Sequence, residues 1–223
     1  HGRTADVAYT QDWRLDAQRR DFTINALYAT LDGTVYDYFG GMSDLRAGRV
    51  IFVGDARQRI HEDHLRILRY FRFFAHYGWG EVDEASLYAA VDMANLIQTL
   101  SRERVRNEVL KLLSADRAGE VWRLMFEKGV VTHFLPEATR VNALDRTIAL
   151  EDKLHRGAFV LRRLASLLEV TSEGLRRITE HMRFSRDQAR LLAAIVVLAP
   201  TLMKNGDEKQ VRSLVYRYGN DLV

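Results

Sequence analysis

The sequence of 223 residues contains no cysteine and only two prolines. Without cysteine the chain can form no disulfide, which suits the reducing cytoplasm, where we expect the protein to reside. Proline breaks helices because it lacks an amide hydrogen and clashes with the preceding turn. The scarcity of proline, together with abundant leucine, alanine, arginine and glutamate, therefore favours a mostly helical protein.

Long apolar runs and a strong charge of either sign are also missing. The longest apolar run, residues 191–200, falls short of the ~20 residues that cross a bilayer, so it predicts a buried helix and no membrane partner. The formal net charge is only +3, from 33 Lys and Arg against 30 Asp and Glu. This mild basic excess permits a polyanionic partner without requiring one.

The first residues are His1-Gly2-Arg3, with neither an initiator methionine nor a charged leader followed by an apolar segment. We therefore expect the chain to be a fragment or an incompletely ordered protein. Its apolar share of 47% is enough to bury the core of one large domain or two small ones.

Residues 1–60 have the short-period patterns of mixed α/β structure. An Asp-Gly pair between two β-type runs predicts a hairpin, and Asp21 or Thr23 is suited to cap a short helix. The predicted elements are a strand over 5–10, one or two helical turns over 22–28, a hairpin around Asp32-Gly33, a helix over 42–47 and a strand over 49–53.

From residue 61 onward helical periodicity replaces these patterns, and polar residues suited to capping precede many of the helices. The predicted helices are 61–77, 85–97, 101–114, 117–128, 138–154, 158–169, 172–183, 186–199 and 207–218, with caps at Ser101, Thr171 or Ser172, Ser185 and Asp207. The sequence therefore predicts a remnant of mixed α/β structure followed by an all-helical array.

The segment 19–26, with the sequence RRDFTINA, places two guanidinium groups, a carboxylate and an amide at a predicted helix start. Guanidinium groups match phosphate oxygens, and Asp21 and Asn25 suit ribose hydroxyls, so the segment is a candidate site for both. The alternative is an ordinary capped helix whose arginines are solvated.

The segment 37–45 contains the pair Gly40-Gly41 ahead of a predicted helix. Glycine lets backbone amides approach a ligand, so the pair is compatible with a hinge or a phosphate-approach loop. The alternative is a tight turn between a strand and a helix.

A third segment, residues 61–74, carries charges on an otherwise apolar helix. At about 100° per residue, Asp63, Arg66 and Arg69 share one arc of this helix, and Arg72 lies further round. Charged groups on a largely buried helix meet a ligand, water or one another. The alternative to a ligand is an ion pair within the helix.

A fourth segment, residues 101–108, combines a predicted helix start with charges that alternate at i, i+4 spacing. Here we expect a structural role, in which Glu103 or Glu108 holds a neighbouring helix by accepting hydrogen bonds. His61 and His64 are three residues apart without further partners, so they predict no metal site.

The order of these segments is more specific than any one of them. RRDFTINA at 19–26, DxxGGxxDL at 37–45, EDxxRxLR at 62–69 and the helix at 101–108 together resemble the bacterial and eukaryotic tRNA nucleotidyltransferases and the bacterial poly(A) polymerases. The resemblance is dense over residues 1–113 and only a helical pattern beyond.

The resemblance implies a mostly α fold in which the remnant of an α/β nucleotidyltransferase head precedes an all-helical neck and body. In that family, head carboxylates upstream of RRDF bind the catalytic Mg²⁺, so the resemblance implies neither catalytic nor metal-binding residues in this chain. The implied domains are the end of the head over 1–60, a neck with the nucleotide-recognition helix over 61–115, and a tRNA-binding body or tail over 116–223.

The resemblance also implies roles for individual residues. These are triphosphate contact by Arg20, ribose contact by Asp21 and Asn25, base recognition by Asp63 and Arg66, further nucleotide contacts by Arg69 and Arg72, and a hinge at Asp37, Gly40, Gly41 and Asp44.

The implied activity is addition of C and A to the 3′ end of tRNA, with CTP and ATP as substrates. A poly(A) polymerase is the alternative enzyme, although the sequence from Leu65 to Phe73, followed by Tyr77-Gly78, is more similar to CCA-adding enzymes. Separate C-adding and A-adding enzymes also share these motifs. A hypothesis of another class is a non-catalytic RNA-binding module.

Overall fold

The computed structural model describes residues 12–198, which are mostly helical. The helices are α1 (Trp13–Gln18), α2 (Gly41–Arg46), α3 (Ala56–Glu62), α4 (Arg66–Tyr77), α5 (Glu84–Asp92), α6 (Arg102–Leu113), α7 (Ala118–Glu127), α8 (Val141–Lys153), α9 (Val160–Leu167), α10 (Ser172–His181) and α11 (Arg186–Ala193). Short 3₁₀ turns span Thr23–Asn25, Ala94–Thr99 and Val131–His133, and a π-helical turn spans Ala194–Leu198. Strands β1 (Leu27–Ala29) and β2 (Val35–Asp37) form an antiparallel hairpin in which Tyr28 faces Tyr36.

The hairpin around Asp32-Gly33 and the helix over 42–47, now α2, are confirmed. The helical turns predicted over 22–28 shrink to the 3₁₀ turn, which lacks a side-chain cap. The strand predicted over 49–53 is wrong, because Phe52 forms only an isolated bridge with Phe22. Its partner segment turns away into the 3₁₀ turn at Thr23, so no ladder can extend.

Most of the helices predicted from residue 101 onward are confirmed with shifts of a few residues at their ends. The helix predicted over 85–97 divides into α5 and a 3₁₀ turn, and the one over 186–199 divides into α11 and a π-helical turn. The predicted strand over 5–10 and the helix over 207–218, with its cap at Asp207, lie outside the described residues.

The helix predicted over 61–77 is wrong at its start, because the chain leaves helical geometry at Asp63. Asp63 has an extended backbone, with φ −151° and ψ 107°, and ends α3. Its Oδ1 atom then accepts the amide hydrogen of Leu65 at 3.1 Å, just before α4 begins. Local hydrogen bonding by an Asp side chain competes with the helix in this way. Asp63 therefore does not share a helical arc with Arg66 and Arg69.

Helix α4 occupies the centre of the core and packs against α5, α6 and α7. Tyr70 is fully buried on it and stacks on Phe52 and Phe74, with ring centroids 5.8 and 6.1 Å apart. Phe22 joins this aromatic group at 4.8 Å from Phe52. The segment that contains Phe22 is therefore anchored in the same core as α4. Between residues 12 and 198, no helix is both long and apolar enough to cross a membrane.

A buried ion pair joins the later helices to the end of α6. Glu151 on α8 and Arg163 on α9 are each about 3% exposed, and Arg163 Nε lies 2.6 Å from Glu151 Oε2. Arg163 Nη1 donates to the carbonyl oxygens of Leu113 and Ala115 at 2.9 and 2.8 Å. Leu113 is the last residue of α6, and the carbonyl of Ala115 also accepts the amide of Ala118 at 3.3 Å. Arg163 therefore caps the end of α6 and the turn that follows it.

Candidate nucleotide-binding site

An ion pair between Asp21 and Arg69 joins the RRDFTINA segment to α4. Asp21 is 5% exposed, and its Oδ2 atom lies 2.5 Å from both Nε and Nη2 of Arg69. Its Oδ1 atom accepts from Asn25 Nδ2 at 2.9 Å and from the amide of Phe22 at 3.1 Å. Burial by itself would raise the pKa of Asp21, but the bonds from Arg69 and Asn25 outweigh it and lower the pKa. Three predicted site residues thus meet around one ionised carboxylate.

The backbone of this segment is tied to the loop after α2. The amide of Thr23 donates to the carbonyl of Ile51 at 3.0 Å, and the amide of Val53 donates to the carbonyl of Asp21 at 2.9 Å. These bonds flank the bridge between Phe22 and Phe52. The carboxylate of Asp21 is therefore held by backbone pairing as well as by its own ion pair.

Arg72 lies one turn beyond Arg69 and pairs with Glu108 on α6. Arg72 Nε is 2.6 Å from Glu108 Oε2, and Glu108 is 4% exposed. The contact is an ion pair without the alignment of a hydrogen bond. The guanidinium carbons of Arg69 and Arg72 also lie 5.4 and 4.6 Å from the centre of the Phe73 ring. Glu108 thus holds the neighbouring helix α4 as expected, but through an ion pair with Arg72 and not through the expected hydrogen bond. Phe73 supports both arginines through cation–π contacts.

Arg66 is bonded to protein groups on two sides. Its Nη1 atom donates to the carbonyl of Arg59 at 2.8 Å and to Glu62 Oε2 at 2.7 Å, and its Nη2 atom donates to the carbonyl of Arg19 at 3.0 Å. Arg59 donates in parallel to the carbonyl of Gln18 at 2.9 Å. Together the two arginines cap the carbonyl end of α1.

Asp63 pairs with Arg104 on α6 rather than with Arg66. Arg104 Nη2 lies 2.7 Å from Asp63 Oδ2, and both side chains are partly exposed, at 46% and 31%. An ion pair between Asp63 and Arg66 within one helix is therefore not formed. The fourth sequence segment thus contributes two residues, Arg104 and Glu108, that contact predicted site residues.

The predicted hinge residues lie between the end of β2 and the first turn of α2. Asp37 caps α2, because its carboxylate accepts from the amides of Phe39, Gly41 and Met42 at 3.2, 2.9 and 2.9 Å. Burial would raise the pKa of Asp37, but these amide bonds lower it overall. Gly40 has φ +77°, which favours glycine. The amides at the start of α2 are therefore already occupied and do not form an open phosphate-approach loop.

Asp44 and Gly41 connect this hinge segment to the RRDFTINA segment. Thr23 Oγ1 donates to Asp44 Oδ2 at 2.7 Å, and Arg49 Nη2 donates to Asp44 Oδ1 at 2.9 Å. A Cβ atom on Gly41 would lie 2.1 Å from the carbonyl oxygen of Thr23. The structure thus brings the first three predicted segments into direct contact.

Sequence reasoning missed three contributors to the site. Asp16 and Tyr28 hold Arg20, and Arg104 holds Asp63. For Asp16 a signal exists, because it precedes Arg19 and Arg20 at helical spacings of three and four residues. For Tyr28 and Arg104 the contact depends on the fold.

The donor set of the described part of the chain does not suit a magnesium ion. Between residues 12 and 198, no three His, Cys, Asp or Glu side chains converge as metal ligands. Asp21 and Asp44, the buried aspartates near the site, each form an ion pair with an arginine. No step of the chemistry is therefore assigned to a metal on these residues.

Two family models match the sequence. The Poly A polymerase head domain matches residues 1–51, and the Probable RNA and SrmB- binding site of polymerase A matches residues 81–141. The chain is 35% identical over 212 residues to CCA tRNA nucleotidyltransferase 1, mitochondrial, of Mus musculus, which covers 94% of this chain and 48% of that protein. It is 39% identical over 126 residues to Poly(A) polymerase I of Escherichia coli, which covers 56% of this chain and 27% of that one.

A solved structure has a similar fold. The CCA-adding enzyme of Bacillus stearothermophilus in complex with CTP superimposes with a TM-score of 0.70 at 26% identity, over 88% of this chain and 49% of that one. The chain thus spans about half the length of the mouse and Bacillus proteins that it matches. On the motifs, the two family models and these relatives, the chain belongs to the family of tRNA nucleotidyltransferases and bacterial poly(A) polymerases.

Proposed function

We propose that these 223 residues are the nucleotide-recognition and tRNA-binding part of an enzyme that adds C and A to the 3′ end of tRNA. The observation that carries the proposal is the ion pair between Asp21 and Arg69, which joins the segment assigned to the ribose and phosphates to the helix that begins at Arg66. The similarity to the mouse CCA tRNA nucleotidyltransferase over 94% of this chain supports the choice of substrate.

Asp63 and Arg66 are proposed to select the base, because cytosine and adenine share one hydrogen-bonding pattern. Each offers an exocyclic amine donor beside a ring nitrogen acceptor, whereas uracil and guanine offer a carbonyl beside a ring N–H. The Asp63 carboxylate only accepts and the Arg66 guanidinium only donates, so the pair suits C and A.

The contacts of the two residues support different parts in this selection. The ion pair between Asp63 and Arg104 is solvent-accessible, and such pairs are worth only about 0–1 kcal/mol, so a base amine can replace Arg104 at little cost. Arg66 is only 14% exposed and makes three hydrogen bonds to protein oxygens. The Asp63 carboxylate is therefore proposed to exchange Arg104 for the base. The Arg66 guanidinium is proposed to be held in place by protein oxygens before the base binds.

The remaining nucleotide contacts follow from the same layout. Asp21 and Asn25 are proposed to contact the ribose, and Arg20, Arg69 and Arg72 are proposed to contact the phosphates. Two Mg²⁺ ions, held by head carboxylates in this family, would activate the tRNA 3′-hydroxyl and stabilise the leaving pyrophosphate. The residues described here orient the nucleotide for that step.

The body is proposed to hold tRNA by its phosphates. Arg177 and Arg183 on and after α10 expose 74% and 71% of their side chains. Because binding to nucleic acid phosphates releases counterions, the affinity for tRNA should fall steeply as salt rises. Affinity that does not change with salt contradicts this assignment.

Poly(A) polymerase is the second candidate, favoured by the 39% identity to the Escherichia coli enzyme over 126 residues. The test is to incubate the full-length gene product with a tRNA transcript that lacks its CCA end and with each nucleoside triphosphate in turn. Ordered addition of C, C and A supports the proposal, and long A tracts support the second candidate. The 223-residue chain alone serves as the control, and we expect it to incorporate no nucleotide.

A further inference from the structure

One carboxylate holds two consecutive arginines at the end of α1. Asp16 Oδ1 lies 2.5 Å from Nη2 of Arg19, and Asp16 Oδ2 lies 3.0 Å from Nη2 of Arg20. The hydroxyl of Tyr28 on β1 also donates to Asp16 Oδ2. The four side chains form one connected group, and Arg20 of this group immediately precedes Asp21.

Two arginines next to each other in sequence do not adopt this arrangement by default. Successive side chains at a helix end project about 100° apart, and two guanidinium groups repel each other. The shared carboxylate draws both groups to one side of α1. Hydrogen bonds from Tyr28 and then Arg19 lower the pKa of Asp16 to about 2, so this carboxylate remains ionised at neutral pH.

The ring of Tyr28 also contacts this group of side chains. The guanidinium carbon of Arg20 lies 5.7 Å from the centre of the Tyr28 ring. Tyr28 is itself held by pairing with Tyr36 across the hairpin and by stacking on Trp13, with ring centroids 5.6 Å apart. The position of Arg20 is therefore set by a carboxylate and an aromatic ring that belong to different elements.

Both arginines remain accessible to a ligand. The side chains of Arg19 and Arg20 are 62% and 47% exposed, and each is joined to Asp16 through Nη2. A guanidinium group has five N–H donors, so donors remain on each arginine for an anionic ligand. The pair lies directly before the buried Asp21, which is assigned to the ribose side of the nucleotide.

We propose that Asp16 is a positioning residue that presents Arg19 and Arg20 as one paired cationic group to the polyphosphate of the incoming nucleotide. This inference rests on the proposed function, because that function assigns Arg20 to the triphosphate. A merely structural ion pair at this exposed position would contribute little to stability and nothing to ligand affinity.

The test measures calorimetric binding of CTP and of pyrophosphate to the full-length gene product and its Asp16→Asn variant. We expect both ligands to bind about tenfold more weakly to the variant, because misplaced charged donors lose their bonds to phosphate oxygens. We expect an unchanged melting temperature and recovery of affinity in Asp16→Glu. In steady-state kinetics KM for CTP should rise while kcat changes little.

The chain offers a matched control in Glu173 on α10, which likewise holds two consecutive arginines, Arg176 and Arg177, at spacings of three and four residues. Glu173→Gln should leave the affinity for CTP and pyrophosphate unchanged. An equal loss of affinity in Glu173→Gln and Asp16→Asn would mean that the loss does not depend on Arg19 and Arg20, because removing a negative charge by itself favours the binding of an anion. That result overturns the inference.

Other results of these experiments also test the inference. Unchanged affinity for both ligands in a folded Asp16→Asn variant overturns the inference. If that variant does not fold, Tyr28→Phe decides instead, because it removes the hydroxyl bond to Asp16 and keeps the ring against Arg20. It should weaken pyrophosphate binding. Wild-type protein that binds CTP but does not extend tRNA contradicts the proposed function and leaves this inference standing, whereas wild-type protein that binds neither ligand overturns both.

Discussion

Arg66 donates a hydrogen bond from Nη2 to the backbone carbonyl of Arg19, 3.0 Å away. The residue proposed to read the base is thus bonded directly to the segment proposed to hold the phosphates. Glu62 strengthens the connection, because its carboxylate pairs with Arg66 at 2.7 Å and with Arg59 at 2.5 Å. A displacement of either segment therefore acts on the other.

Replacing Asp63 or Arg66 by alanine in the full-length gene product should relax the choice of base. An unmatched buried polar partner costs about 1–3 kcal/mol, so incorporation of UTP or GTP relative to CTP and ATP should rise by roughly five- to 150-fold. Competitive incorporation measures the ratio, and circular dichroism shows whether each variant is folded.

Arg104→Met is the matched control, because it breaks the ion pair with Asp63 and leaves the carboxylate in place. It should keep the preference for CTP and ATP. A folded Asp63→Ala variant with unchanged preference would mean that Asp63 and its ion pair are only structural.

The ion pair of Asp21 with Arg69 should make stability depend on pH. The pKa of Asp21 is lowered in the folded chain, below its unfolded value of about 3.9. Its stabilisation is therefore complete above that unfolded value and is lost as pH falls through the folded one. Asp21→Asn should cost about 3 kcal/mol near pH 7, because it leaves Arg69 without its charged partner.

Urea unfolding of the wild type and Asp21→Asn at several pH values checks this. The difference in unfolding free energy between them should shrink on acidification below pH 4. A difference that stays constant from neutral to acid pH would show that the charge of Asp21 contributes nothing.

Gly41→Ala should destabilise the chain by about 2 kcal/mol or more. The new Cβ atom would lie 2.1 Å from the backbone oxygen of Thr23, and a backbone cannot move aside as a flexible side chain can. Gly157→Ala is the control, since no atom lies within 4 Å of its Cβ position. Thermal unfolding of the two variants checks the difference, and equal melting temperatures would contradict the prediction.

Tyr70→Phe should leave stability unchanged or raise it by up to about 1 kcal/mol. The hydroxyl of Tyr70 is buried without a hydrogen-bond partner in the described structure, and burial raises the pKa of the phenol. Removing an unpaired polar group relieves its desolvation cost while the aromatic stacking remains. A loss of more than about 1 kcal/mol in chemical unfolding would show that the hydroxyl has a partner.

Most helices could be predicted because the sequence shows their capping residues. Thr171 accepts from the amide of Gly174 at 3.2 Å, and Ser185 forms a complete capping box with Gln188. The end of the helix at Asp63 could not be predicted, because the charge spacing and the apolar pattern both continue beyond this residue. The helix ends because the Asp63 side chain accepts a hydrogen bond from the amide of Leu65.

The site could be predicted as a set of segments but not as a set of contacts. Asp21 and Arg69 are 48 residues apart, and Asp63 and Arg104 are 41 apart. The first pairing depends on how the RRDFTINA segment packs on α4, and the second depends on how α6 packs beside the end of α3. The resemblance supplied the residues, whereas only the packing shows that Arg104 is the partner of Asp63. The pairing of Asp16 with Arg19 and Arg20 differs, because its spacing lies within one helical turn and is visible in the sequence.

The cap that Asp37 forms on α2 restricts where any rotation at the hinge segment can take place. One carboxylate accepts three amides between Phe39 and Met42, so residues 37–42 behave as a single rigid block. A turn of the backbone at Gly40 or Gly41 would break these bonds together. The glycines therefore give this segment its shape, and any rotation of the backbone at the predicted hinge requires the Asp37 cap to open.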